Sequence, residues 1–189
     1  MMYRQSWSAS SDHMGSLSLQ ELLRQAQWIS ALTARLGPIT LHLLCWESQA
    51  LFEDEIMLLD RADASVRMVL FKAGEAIVSC GRVLIPPETY TAYQAQFAAL
   101  QTQPLGRTLL YGKPDTTRSA FQYAALTAVH PWWQALTRYG VVPPVPFFVR
   151  RSVFHLAGRY PLVVCEGCLD MTLLEGSHEW GGVYAQQSL

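Results

Sequence analysis

Apolar residues recur at two spacings along this chain, and the switches between them divide it into helices and strands. Leu19, Leu22, Leu23, Ala26, Ile29, Leu32 and Leu36 fall on one helical stripe that Gly37-Pro38 ends. Ser18 and Glu21 have the spacing of a capping box, with Leu17 and Leu22 as its hydrophobic staple. ITLHLLCWE, residues 39–47, has the length and branching of a strand buried on most of both faces. The acidic stretch 48–65 has no clear period and is predicted as loop with some strand. Val66 to Phe71 and Ala76 to Ile85 flank Lys72-Ala73-Gly74-Glu75 and predict a hairpin. Pro86-Pro87 suits the first turn of a helix on which Tyr90, Tyr93, Phe97 and Leu100 share a face. Pro104-Leu105-Gly106-Arg107 reads as a turn. Arg118 to Ala125 predicts a strand, HPWWQALTRYG a short helix, and VVPPVP a loop. Phe147 to Leu156 and Leu162 to Leu169 predict a second hairpin. Strands joined mostly by short turns, with helices set apart, predict an α+β fold: a single antiparallel sheet of about six strands with flanking helices. Residues 1–16 are expected to be a disordered tail, 17–174 one domain, and 175–189 a mobile C-terminal tail.

Composition narrows the function classes. Half of the 189 residues are hydrophobic, which is enough for one domain with a real core. Fourteen basic and 15 acidic residues give a net charge of −1 and no electrostatic footprint for nucleic acid. No apolar run approaches the ~20 residues of a membrane span. The first residues lack the hydrophobic core of a signal peptide, so a cytoplasmic monomer is expected. Cys165 and Cys168 form a CxxC, but residues three apart on a strand point to opposite faces, so buried thiols are expected rather than a metal or dithiol site. His42, His130 and His155 have no HxxxH or HxH partner, and no GxGxxG, P-loop or GxSxG is present. Neither a metal nor a cofactor is expected.

Two charges sit where strands should have none. Arg82 shares a period-two face with Val78, Cys80 and Leu84, and Glu166 shares one with Leu162, Val164 and Cys168. A buried guanidinium needs a carboxylate of the protein or an anion from outside. Desolvation alone would hold Glu166 protonated, as a general acid or neutral donor. Alternatively, the two simply pair with each other. Arg150 and Arg151 point to opposite faces, so at most one can share a site, and the other is expected to be a solvated surface arginine.

CGRVLIPPETY, PLGRTLL, the strand beginning Arg118-Ser119, and VRRSVFHLAGRYPLVVCEGCL, in this order and spacing, resemble the chorismate pyruvate-lyases of ubiquinone biosynthesis. LTARL and VRMVLF extend the likeness over roughly Leu19 to Leu169. The resemblance implies an antiparallel sheet with a helical flap over an internal pocket. It also implies cofactor-independent elimination of pyruvate from chorismate, leaving 4-hydroxybenzoate. Carried over on it, Arg82 is the arginine that binds the ring carboxylate and Glu166 the catalytic glutamate at the ether oxygen. Leu105 supplies an assisting backbone amide, and Leu32 lines the pocket. Arg150, Arg151 or Arg107 is expected to meet the enolpyruvyl carboxylate. The chain departs from the pattern at Met68, where an acid commonly follows the arginine of the preceding strand, at Asp170 in place of a proline, and at Gly167 in place of a bulkier residue. The alternative is a non-catalytic module of the same fold that binds a small aromatic acid.

Overall fold

A computed structural model of the chain describes residues 6–100 and 103–172. The strands are β1 (Ile39–Ala50), β2 (Asp63–Ala73), β3 (Ala76–Ile85), β4 (Thr117–Arg118), β5 (Gln122–Leu126), β6 (Phe147–Leu156) and β7 (Tyr160–Cys168). Among the described residues they form one antiparallel sheet in the order β1-β2-β3-β7-β6-β4, with β5 also paired to β6. The two predicted hairpins are therefore neighbours, joined through the β3–β7 pairing. Gly74 sits at φ +59 in the first hairpin turn, a region glycine enters without steric cost.

Six helices flank the sheet among the described residues: α1 (Leu17–Arg24), α2 (Trp28–Leu36), α3 (Glu53–Leu59), α4 (Pro87–Ala92), α5 (Gln94–Leu100) and α6 (Pro131–Arg138). A π-helical turn, Gly106–Leu110, follows α5. The α+β sheet is the architecture that the alternation predicts, and several local expectations change. The helix predicted after Pro86-Pro87 is two helices that part at Tyr93, and the strand predicted over 118–125 is two short strands. Four further changes lie before residue 66. The single N-terminal helix is two helices, broken at Gln25 in extended backbone (φ −61, ψ 135). Ser16, not Ser18, caps the first of them by accepting from Leu19 N, and Leu17 is 76 % exposed rather than a staple. The acidic stretch contains α3, because Glu53, Asp54 and Glu55 suit the first turn of a helix. Residues 6–16 are not a loose tail: Ser8 bridges to Tyr123, Trp7 donates from Nε1 to Asp54, and Met14 is buried. The expected C-terminal tail, 175–189, lies outside the described residues.

Strand pairing sorts the side chains of the sheet into two faces. Arg82 is opposite Met68 and Cys165, so it joins a core of Met68, Cys80, Leu84, Cys165, Trp132 and Leu136 that α6 covers. Gly81 is opposite Val69 and Glu166, which puts Glu166 on the other face. That second face is covered by α1 and α2 at one end and by α5 with the 105–110 segment at the other.

Candidate active site

The second face holds a cavity of about 430 Å³. Its floor is made by Arg67 and Val69 of β2, Gly81 and Val83 of β3, and Val164 and Glu166 of β7. All six share one face because the register sets them opposite one another. A Cβ on Gly81 would lie 3.1 Å from Val69 Cγ2, so glycine keeps this part of the floor open. One wall is α2, held at its start by a relay: Trp28 Nε1 donates to Ser79 Oγ at 2.8 Å, and Ser79 Oγ donates to Gly167 O at 2.8 Å. The other wall is the segment from Pro104 to Tyr111. There Tyr111 N donates to Gly106 O at 2.8 Å, and the Tyr111 ring folds onto Gly106, where a Cβ would lie only 2.5 Å from it.

Two side chains bring charge into this apolar space. Arg67 is 1 % exposed; its Nη2 donates to Gln103 O at 3.1 Å, and its guanidinium lies over the Trp46 ring. Burial pulls its pKa down to about 10. Glu166 is held from behind by Arg150, whose Nε donates to Oε2 at 2.7 Å. Arg150 Nη2 also lies 2.7 Å from Oε2 but is not aligned as a donor, so the Nε bond orients the carboxylate. Burial, and after it the charge of Glu166, push the Tyr111 phenol above its ordinary value.

No family model matches the chain. Three curated relatives each carry the name "Probable chorismate pyruvate-lyase". The one from Ralstonia nicotianae is 33 % identical over 147 residues, 72 % of this chain and 75 % of the relative. The one from Methylococcus capsulatus is 31 % identical over 125 residues, 65 % and 75 % of the two chains. The chain belongs to the chorismate pyruvate-lyase family. The relative from Halorhodospira halophila is 29 % identical over 151 residues, 77 % and 79 % of the two chains. Among solved structures, the C-terminal domain of the histidine utilization repressor from Pseudomonas syringae matches at 14 % identity and TM-score 0.46, over 71 % of this chain and 92 % of that one. The effector domain of PhnF from Mycobacterium smegmatis matches at 14 % identity and TM-score 0.45, over 76 % and 88 %.

Of the residues that family likeness singled out, the cavity collects Glu166 and Leu105 and leaves out two. Leu32 is fully buried in the core behind α2, whose cavity side is formed instead by Trp28, Ile29, Ser30, Thr33 and Ala34. Arg82 is the larger correction. It does not enter a common cavity with Glu166, because its in-register partner on β7 is Cys165, on the opposite face. Its guanidinium meets Glu55 fork to fork, Nε to Oε1 at 2.7 Å and Nη2 to Oε2 at 3.0 Å, and lies 4.2 Å from the Phe52 ring centroid. Glu55 Oε2 also accepts from the Phe52 amide at the start of α3. Met68, where the family pattern has an acid, sits directly across from Arg82, so Glu55 supplies the carboxylate from α3. Neither the shared cavity nor the alternative of a direct Arg82–Glu166 pair is formed: each charge has its own partner, one on each face.

Arg150 and Arg151 are both buried, contrary to the expectation of one solvated arginine; Arg151 donates to Asp54 Oδ2 at 2.8 Å on the first face. Arg107 lines the cavity at its exposed rim. Gly167 makes room behind the site: a Cβ there would lie 2.4 Å from Phe147. Sequence reasoning missed Arg67, although it carries the same signal as Arg82, an arginine on an apolar strand face with Val69 and Phe71. Among the described residues no group of three or more His, Cys, Asp or Glu side chains is placed to hold a metal, and no helix is long and apolar enough to cross a membrane.

Proposed function

We propose that the chain eliminates pyruvate from chorismate to give 4-hydroxybenzoate, using the cavity on the second face. The observation that carries this reading is that Arg67 and Glu166 line one cavity over an otherwise apolar floor, in a member of this family. Arg67 takes the ring-carboxylate role assigned from sequence to Arg82, with the Leu105 amide assisting. A guanidinium fork matches a carboxylate in shape and charge, and burial strengthens the contact. Arg107, at the rim, faces the enolpyruvyl carboxylate. A cavity of this size suits a ligand of chorismate's dimensions.

Loss of pyruvate aromatises the ring, so the driving force lies in the substrate and the protein supplies position and proton transfer. Glu166, whose Oε2 accepts from Arg150 Nε, stands here as the base rather than as the general acid of the sequence reading. Glu166 therefore accepts the proton from the ring carbon that bears the hydroxyl. The ether C–O bond at the adjacent ring carbon breaks, and the C–H electron pair completes the aromatic ring. Glu166 then returns its proton to the departing enol of pyruvate at the former ether oxygen. No electron acceptor, metal or cofactor is needed for this balance.

The deciding experiment mixes the protein with chorismate and follows 4-hydroxybenzoate and pyruvate by chromatography. Equimolar formation of both, unchanged by a chelator, is expected. Tight binding of 4-hydroxybenzoate without turnover of chorismate would favour the non-catalytic binding module.

A further inference from the structure

The guanidinium of Arg150 faces in two directions. Its Nε holds Glu166 Oε2, while Nη1 donates to Leu23 O at 2.7 Å and to Gln25 O at 2.5 Å. Those carbonyls end α1 and form the link to α2, and the residues that follow, Gln27 to Ser30, line the cavity. The guanidinium is itself stacked, 4.7 Å from the Trp28 ring centroid and 4.2 Å from that of Phe121. Arg118 continues the stack on Phe121 at 4.3 Å and donates to Ala26 O at 2.7 Å. Two arginines on the β4–β6 side of the sheet thus occupy the carbonyls of residues 23, 25 and 26. A continuous α1–α2 helix would have used these acceptors internally.

We infer that Arg150 is a positioning residue that ties the closed placement of the α1–α2 link to the orientation of Glu166. While the link is closed, Arg150 is held from its Nη1 side and presents a fixed Nε to the carboxylate. When residues 23–26 lift away from the cavity, the guanidinium loses those acceptors, and Glu166 loses the donor that aims it. Access to the cavity and readiness of Glu166 are therefore one event. The inference rests on the proposed function only for the identity of the ligand.

The test compares wild type with Arg150→Lys, which keeps the charge but cannot reach Glu166 and the carbonyls together. Phe121→Leu serves beside it, keeping every polar contact and removing one stacking face. In Arg150→Lys, amide hydrogen exchange at residues 23–28 of the free protein is expected to rise about tenfold, with the β2–β3 hairpin unchanged. Dissociation of 4-hydroxybenzoate should accelerate about tenfold, and single-turnover conversion of chorismate should slow by a similar factor. Phe121→Leu should move all three readouts the same way by a smaller factor, and it decides the matter if Arg150→Lys does not fold. Unchanged exchange at 23–28, or a rise spread evenly over the whole sheet, would overturn the coupling. If wild type neither binds 4-hydroxybenzoate nor converts chorismate, the proposed function fails, and the exchange data alone decide the coupling.

Discussion

Arg67 and Arg82 are both buried arginines on apolar strands, and their partners separate them. Arg82 is matched to Glu55 by two aligned bonds, so its place is structural. Arg82→Ala should strand the Glu55 carboxylate in the core and lower the unfolding free energy by about 3–5 kcal/mol. Arg67→Ala should leave the fold largely intact and weaken 4-hydroxybenzoate binding by about 10²-fold, the value of a charge-assisted contact. Denaturant unfolding and calorimetric titration of both variants check this, and the reverse pattern would return the carboxylate to Arg82. Glu166→Gln keeps an oxygen for Arg150 but removes the carboxylate that the proposed reaction uses as its base. Turnover should drop by about 10²–10⁴-fold. Stability should fall by only about 1–2 kcal/mol, the difference between a charged and a neutral acceptor. A Gln variant that turns over chorismate at the wild-type rate would remove Glu166 from the chemistry.

At the level of elements, α6 offers a pH-dependent contact. His130 caps it, Nδ1 accepting from Trp132 N at 3.1 Å, with Nε2 3.8 Å from Asp54. Burial holds this imidazole below its ordinary value of 6.5; Asp54 opposes the shift, while Arg82 and Arg151 add to it. Below pH 6.5 the unfolded chain takes up a proton that the folded chain resists. The stability from this group is therefore complete above that pH and is lost as pH falls through the folded value. Urea unfolding at about pH 7.5 and about pH 5 should show the loss, and His130→Asn, which keeps a capping oxygen, should reduce it. Equal pH dependence in the two proteins would place the titration elsewhere. The hairpins β2–β3 and β6–β7 were legible in the sequence, because period-two alternation and turn residues are local signals. The side of the sheet that each strand's polar residues face was not. Alternation within β3 groups Arg82 with Cys80, and alternation within β7 groups Glu166 with Cys168, but neither pattern contains the register between the strands. Only the pairing of Gly81 with Glu166 fixes it. The α1–α2 break was equally hidden, because the side chains that satisfy its carbonyls, Arg118 and Arg150, lie about a hundred residues downstream.

For the molecule as a whole, one sheet serves two purposes that meet at its midplane. The first face is a core braced by the Arg82–Glu55 and Arg151–Asp54 pairs, and the second is a cavity with Arg67 and Glu166 on its floor. Ligand on the second face should stabilise the entire fold. With 4-hydroxybenzoate at a hundred times the wild-type dissociation constant, the unfolding free energy of wild type should rise by about 2.7 kcal/mol, read as a higher Tm. That of Arg67→Ala, bound about 10²-fold more weakly, should rise by only about 0.4 kcal/mol. A Tm in wild type that ignores the ligand would count against the cavity as its site. The neighbouring arginines of β6 carry a consequence for how such a chain can change over evolutionary time. Arg150 serves Glu166, and Arg151, the very next residue, serves Asp54 on the other side. Deleting one residue within the strand just ahead of them would exchange the two, sending each guanidinium to the face where its carboxylate is not. Point substitutions in β6 can accumulate one at a time, but a change in its length is tolerable only at its ends or where a bulge absorbs it. Homologous chains should therefore vary in length in the 157–159 turn and the loop before Phe147, and keep the count between them fixed.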